Sequence, residues 1–480
     1  MTNKFDTQVQ LLKYRVLYEV CKSYMNGTLE KDIDKIPYII SPGPKPTMRC
    51  CVYKEREIVK ERIKLAMGGD RNNPNLLEVI QPACNECPIG GYRVSDACRG
   101  CLAHRCEQAC HMNAIYFEGL HAVINKDKCV NCGLCAKACP YGAILNYKRP
   151  CESACKIKAI KEREDGIAEI DEKKCTRCGA CSYACPFGAI MEKSCILKCI
   201  DITKEEKAGT AHAYMIVAPS IMSQFHYARL TQVISGIKAL GFHEVVEAAL
   251  GADMVSYEEA KELSEKGFLT SSCCPAFVRL VKTSFPELAD KVSSNLSPMA
   301  TIAKYIKSVD PLAKCCFVGP CIAKKMEVTR EDSAPYVDCV ITFEELQALI
   351  DASGIDLASL PDSDLDHASY FGRIFARSGG LSEAVSEALK EQKSDFAVKS
   401  VQCQGLDQCS MALRQAKNPN HTFNFIEGMA CQNGCIGGPC CLTHEPRQAS
   451  DVDKYGRESK ETTIAGALES LKERVDSIGK

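Results

Sequence analysis

Cysteine is the residue type here that could do chemistry, and 33 of the 480 residues are cysteine. Three apolar runs end in thiols just as Pro or Gly breaks the pattern. Phe268-Leu-Thr-Ser-Ser-Cys-Cys-Pro275 presents Cys273 and Cys274, and Cys316-Phe-Val-Gly-Pro-Cys321 presents Cys321. Phe423-Asn-Phe-Ile426 leads into Glu427-Gly-Met-Ala-Cys-Gln-Asn-Gly-Cys-Ile-Gly-Gly438, which presents Cys431 and Cys435. Short β-rich runs that stop in such loops read as buried strands whose carboxyl ends open into a site. Cys274, Cys321, Cys431 and Cys435 would supply four thiolates, the number an iron–sulfur cube takes.

Upstream, Cys129-Val-Asn-Cys132-Gly-Leu-Cys135-Ala-Lys-Ala-Cys139-Pro140 is the bacterial ferredoxin pattern C-x2-C-x2-C-x3-C-P. Cys175-Thr-Arg-Cys178-Gly-Ala-Cys181-Ser-Tyr-Ala-Cys185-Pro186 repeats it. Three closely spaced thiolates bind one cluster, and the fourth thiolate serves the paired cluster. Tetrahedral zinc wants two separated pairs, which this spacing does not offer. The partner halves are Cys98-Arg-Gly-Cys101 with Cys106-Glu-Gln-Ala-Cys110, and Cys151-Glu-Ser-Ala-Cys155. The region reads as two bicluster ferredoxin units in tandem. Exchanging fourth ligands gives one 4Fe–4S cluster on Cys98, Cys101, Cys106 and Cys139, and one on Cys129, Cys132, Cys135 and Cys110. A third takes Cys175, Cys178, Cys181 and Cys155. A fourth would use Cys151 and Cys185 with two more thiols. Cys84-Asn-Glu-Cys87 offers the missing C-x2-C and is preferred, with Cys195 and Cys199 as the other available pair.

The elements that must position these thiols follow from pattern and size. A chain of this length, 46% hydrophobic and 25% charged, has room for about three globular domains. A net charge of −1 points to neither nucleic acid nor an anionic membrane as partner. No apolar run of about eighteen residues predicts a membrane span. No basic-then-apolar leader opens the sequence, so a reducing cytoplasm is expected, where many cysteines mean metal rather than disulfides. The expected organisation is a mainly helical segment over 1–80, a tandem ferredoxin-like domain over 81–202, a catalytic domain over 203–450 and a helical tail over 451–480. Cys50 and Cys51 are read as buried structural thiols. From about 203, strands alternate with helices: a strand over Ala213–Ala218 followed by Pro219 and Ser220, then a helix over Leu230–Leu240. Ser256-Tyr-Glu-Glu259 has the capping-box pattern that opens a helix. Later strands are Cys316–Val318, Ala397–Val401 and Thr422–Ile426, and a charged surface helix runs over Thr462–Val475. Strands separated by helices predict parallel sheets. The fold class is thus α/β and α+β multidomain.

At this point the three loops resemble the signature motifs of iron–iron (FeFe) hydrogenases. Thr270-Ser-Ser-Cys-Cys-Pro275 is similar to the first, Pro320-Cys-Ile-Ala-Lys-Lys-Met-Glu327 to the second, and Glu427 to Gly438 to the third. With the ferredoxin-like region in front, the resemblance covers some three quarters of the chain and is greatest to a less-studied branch of the family. It implies a two-lobed catalytic domain of parallel sheets flanked by helices. It also implies an H-cluster: a 4Fe–4S cube on Cys274, Cys321, Cys431 and Cys435, sharing the Cys435 sulfur with a diiron unit that carries CO, cyanide and azadithiolate. The family's cyanide-binding lysine falls on Lys324, and the loop facing the other cyanide on Ala218, Pro219 and Ser220. Ser297 and Met429 complete the expected cofactor contacts. The free thiol that passes protons falls on Cys273, and the relay to solvent on Glu259, Glu262, Ser293 and Glu327. Read without the family, Glu259 is the N3 residue of a capping box, Lys324 and Glu327 form a helix surface pair, and Cys273 is a structural thiol.

The resemblance implies a cytoplasmic, anaerobic oxidoreductase interconverting 2H+ + 2e− and H2. Its electrons would be exchanged with a ferredoxin-like carrier through three or four accessory clusters, and maturation proteins would supply the diiron unit. The other readings are an H2 sensor of low turnover and an iron–sulfur assembly or electron-transfer protein without diiron chemistry. Two departures from the family stand out. Gly319 replaces a methionine that packs on the diiron unit, so open room is expected there. Pro439-Cys-Cys441 replaces a glycine-rich tail, and Cys440 and Cys441 are read as non-ligands.

Overall fold

The computed structural model describes residues 4–87, 90–365 and 367–478, with side chains described to residue 472. Seven strands from His212 onward build two parallel sheets. They are β1 (His212–Val217), β2 (Glu244–Glu247), β3 (Leu269–Thr270), β4 (Ala313–Gly319), β5 (Cys339–Thr342), β6 (Ser400–Gln404) and β7 (Phe425–Met429). The first sheet has the order β2-β1-β4-β5 and the second β3-β7-β6, every pairing parallel. Parallel strands need crossovers, and helices on both faces supply them, so the strands read as near-continuous apolar runs. β7 is buried at every position, and β4 at all but Lys314.

The nineteen-residue helix Ala248–Lys266 connects the two sheets. It starts nine residues earlier than its capping-box pattern suggested. Ser256 is interior to the helix, where its hydroxyl donates to the Asp253 carbonyl at 3.0 Å. That is the back-bonding available to serine inside a helix, so the residue caps nothing. The last two strands also sit about three residues later than their apolar runs suggested, because Asn424 and its neighbours bond to the loop at Lys399. The C-terminal helix Ile464–Ile478 is not a solvated surface element. Ile464 and Ala467 are fully buried, and it packs on the helices Ala248–Lys266 and Gly380–Glu391.

Four antiparallel ribbons organise the cysteine-rich region, including Ile115–Glu118 with His121–Ile124 and Ile160–Glu162 with Ala168–Ile170. Strand Leu77–Val79 closes on Ile190–Glu192. The helices Gln8–Met25 and Val52–Ala66 pack together, and the first also lies on Phe343–Ala352 behind β5. Cys50 is exposed, not buried. Cys51 caps the helix Val52–Ala66 by accepting the Lys54 amide at 3.5 Å. No helix among the described residues is long and apolar enough to cross a membrane.

A buried ion pair ties β2 to the C-terminal elements. Arg373 donates to both Glu247 carboxylate oxygens at 2.9 Å, and the Tyr455 hydroxyl donates to one of them at 2.9 Å. Replacing Arg373 by Met strands the Glu247 charge, and the expected cost is about 3–5 kcal/mol of stability, read from denaturant unfolding.

Candidate active site

The carboxyl ends of β1, β3, β4 and β7 face a single cavity between the two sheets. Beyond β1 come Ala218, Pro219 and Ser220; beyond β3, Cys273 and Cys274; beyond β4, Cys321; beyond β7, Cys431 and Cys435. All eight line the cavity, with Lys324 and Met429. Cys274 and Cys321 each occupy the residue before a helix, Pro275–Ser284 and Ile322–Glu327, and the Lys324 amide faces the Cys321 sulfur.

Polar groups are few in this apolar pocket, and each has a defined orientation. Lys324 Nζ donates to Glu327 at 2.7 Å, to the Ser297 hydroxyl at 2.8 Å and to the Cys273 carbonyl at 3.3 Å. Burial alone would lower its pKa, but the Glu327 carboxylate outweighs this and raises it, so the ammonium persists. Lys324 and Glu327 do pair at i and i+3, yet inside the protein, their side chains only 12% and 2% exposed. This is not the surface pair that the spacing alone allowed. Ser297 sits behind Lys324 as the cap of the helix Pro298–Val309. The Ser220 hydroxyl is fully buried at the cavity wall with no hydrogen-bond partner among the described groups. Convergent thiols, one ammonium and an orphaned hydroxyl fit an anionic, sulfur-held cofactor.

Gly319 does not leave open room. A Cβ there would stand 2.8 Å from the Phe317 ring and 3.1 Å from Ala218 Cβ. Phe317 lines the cavity and fills the volume that a side chain at 319 would take. The two share a strand face by the period of two, a signal that was present in the sequence.

A polar file leaves the cavity beside Cys273. Burial, and next the Glu259 carboxylate, push the Cys273 thiol well above its ordinary value, so it stays protonated. Glu259 accepts the Ser272 amide at 3.2 Å and hydroxyl at 3.3 Å, while its other oxygen has no partner among the described groups. Burial pushes its carboxyl up to about 7. The Ser293 hydroxyl donates to Glu262 at 3.0 Å, and Glu262 also meets the half-exposed Lys266 at 2.6 Å. Burial pushes Glu262 up, but Lys266 and the Ser294 and Ser293 donors outweigh it and hold the carboxyl below its usual range. Glu327 stands apart from this file, committed to Lys324. Ser272 was missed at the sequence level, since only its amide and hydroxyl geometry reveals it.

The upstream thiols gather in sets. Cys98, Cys101, Cys106 and Cys139 line one small cavity; Cys110, Cys129, Cys132 and Cys135 another; Cys155, Cys175, Cys178 and Cys181 a third. Cys84, Cys87, Cys151 and Cys185 lie close enough to shift one another's acidity. Cys195 and Cys199 lie elsewhere, beside Cys339 on β5. The third set adjoins the main cavity, because Cys178 neighbours both Cys274 and Cys431. Arg279 fastens this contact, donating to the Cys175 and Glu172 carbonyls at 2.7 and 2.8 Å. Cys440 and Cys441 are buried and face Glu192 and the Ile436 carbonyl, not the cavity.

Residues 211–439 match the C-terminal domain of the iron only hydrogenase large subunit, and residues 122–145 and 168–191 match the 4Fe-4S binding domain. Iron hydrogenase 1 of Clostridium pasteurianum is 28% identical over 304 residues, 51% of this chain and 53% of that protein, so the chain spans about half of that relative's length. The NADP-reducing hydrogenase subunit HndD of Solidesulfovibrio fructosivorans is 27% identical over 474 residues, 83% of this chain and 72% of that one. A cytosolic Fe-S cluster assembly factor of Eremothecium gossypii is 33% identical over 140 residues, 28% of this chain and 31% of that protein. Among solved structures, an [FeFe]-hydrogenase studied for oxygen inactivation of its H cluster superposes with a TM-score of 0.50 at 19% identity. It covers 59% of this chain and 94% of that one, a likeness of fold alone.

Gly319→Met by itself must displace the Phe317 ring, and the expected cost is about 1–3 kcal/mol. Combined with Phe317→Ala it should cost less than the sum of the singles, a coupling read from a double-mutant cycle of denaturant unfolding. Additive costs would show that the ring does not occupy that volume.

Proposed function

The chain is FeFe-hydrogenase-like and carries an N-terminal iron–sulfur domain, and from that premise we propose that it is a hydrogenase interconverting protons, electrons and H2. The observation that carries this reading is the convergence of Cys273, Lys324, Ser220 and Met429 on the cavity that also receives Cys274, Cys321, Cys431 and Cys435. When bound, an H-cluster, a cube joined to a diiron unit with CO, cyanide and azadithiolate, would supply the redox centre for this chemistry. Cys274, Cys321, Cys431 and Cys435 would hold the cube. Lys324 Nζ and the Ser220 hydroxyl offer donors to anionic ligands of the cofactor. The apolar walls, Met429 and Phe317 among them, exclude water.

The Cys273 Sγ proton stands at the inner end of the proton file. Glu259 accepts it, and Ser293 and Glu262 pass it to solvent at the protein surface beside Lys266; the thiol, carboxyl and hydroxyl groups each accept and donate in turn. Glu327 holds Lys324 in place and so belongs to the cofactor cradle. Sixteen thiols in four sets hold accessory 4Fe–4S clusters, and the set with the exposed Cys132 is where a ferredoxin-like carrier would dock. Maturation proteins would install the diiron unit, in a cytoplasmic setting.

A second reading, an iron–sulfur assembly role, draws on the match to the assembly factor. Infrared absorption of protein purified anaerobically from a host with the maturation enzymes separates the two. CO and cyanide bands that shift under H2 are expected; their absence, alongside normal cubic-cluster EPR signals, would favour assembly. In protein with those bands, Glu259→Gln keeps the Ser272 contacts but cannot take up a proton. H2 turnover should fall by about 10²–10⁴-fold while the bands stay in place.

A further inference from the structure

Among the cysteines outside the cavities described so far, Cys195, Cys199, Cys316 and Cys339 cluster together. Cys316 on β4 and Cys339 on β5 are direct partners in the parallel ladder, so their side chains leave the same face of the sheet. The helix Ile196–Lys207 lies against these strands, with Cys195 as its cap residue and Cys199 one turn on, the spacing that puts both on one helix face. The sulfurs of Cys199, Cys316 and Cys339 all lie within 4.8 Å of one another, and all three residues are fully buried. Cys195 lies beside this trio, next to one member: its thiol meets the Cys339 thiol, and its carbonyl accepts from Cys339 Sγ at 3.4 Å.

We propose that these four thiols bind a single thiophilic divalent ion, zinc, in a closed structural site. The spacing selects a mononuclear centre. Zn–S bonds of about 2.3 Å in a tetrahedron set thiolates about 3.8 Å apart, inside the limit observed for Cys199, Cys316 and Cys339, and Cys195 would close onto the ion as the fourth ligand. In a cubic cluster each thiolate binds a different iron and the sulfurs stand wider. A disulfide joins only two of the three mutually adjacent sulfurs and leaves the others beside it. A cation stands at the edge of the group, paired with a carboxylate. The buried Lys325 ammonium, held by Glu345 at 2.8 Å and the Lys193 carbonyl at 3.0 Å, faces Cys195. Four ligands leave no open coordination position, so the ion would not be catalytic. Its place in the fold gives it a mechanical part: it would staple the helix that follows the iron–sulfur region to β4, whose end carries Cys321. This inference does not depend on the hydrogenase reading.

The test is zinc per chain in full-length, iron-replete protein prepared anaerobically, with X-ray absorption at the zinc edge. One zinc per chain with four sulfurs at about 2.3 Å is expected. The double variant Cys199→Ser/Cys339→Ser should lose that zinc and keep its iron content. Cys195→Ser should keep zinc with three sulfurs and one lighter donor, a readout available even if the double variant does not fold. Zinc below a tenth of an equivalent in iron-replete protein would overturn the proposal. So would zinc that persists in the double variant, which would place it in an iron–sulfur motif instead.

Discussion

In the proposed function, the half of the chain from His212 onward answers to one electrostatic constraint: several sulfur anions would have to share an apolar pocket. Thiolates leave water only where fixed positive ends and cations replace it. The protein meets this with the geometry of its two sheets, which aim four carboxyl strand ends at one space and start helices directly behind Cys274 and Cys321. Lys324 adds the full charge, and Glu327 and Ser297 keep it from rotating away. Removing any of these would leave charge less well compensated in an apolar cavity.

The same logic sets how the iron–sulfur region meets the catalytic half. Gly179 has φ +83°, and a Cβ there would come within 2.6 Å of Pro439 and 2.7 Å of Ile322. Only glycine permits both the left-handed turn and this close approach. Arg279 clamps the other side through two backbone carbonyls. The thiol set nearest the cavity is therefore held by backbone contacts rather than by a mobile linker, which suits a function that depends on fixed separations.

How legible all this was depends on the range of the interaction. Cysteine spacing within one turn is local, so the groupings of Cys129–Cys139 and Cys175–Cys185 could be read directly, and the α/β architecture followed from apolar strands alternating with helices. Partners distant in sequence were harder. Only the C-x2-C spacing favoured Cys84 and Cys87 over Cys195 and Cys199 as companions of Cys151 and Cys185; the pairing of Leu77–Val79 with Ile190–Glu192 brings the Cys84 segment beside that of Cys185. The Ser256 pattern misled because serine bonds to backbone both at helix starts and within helices. The Lys324–Glu327 spacing is identical on a surface and in a core, and only packing separates the two. The period of two places Phe317 beside position 319, but only packing shows that its ring takes up the volume there.

β4 has a consequence that concerns length rather than chemistry. Its alternate residues face opposite ways, Phe317 and Gly319 toward the cavity and Cys316 toward the helix Ile196–Lys207, with Cys321 just past its end. One strand therefore serves as a two-sided ruler. Side chains on either face can change independently, since neither sees the other. A single inserted or deleted residue between Cys316 and Cys321 would instead exchange the faces and shift the thiol by about 3.3 Å, disturbing both sides at once. Sequence drift in this strand is free to alter identity, and its residue count is the quantity that cannot move.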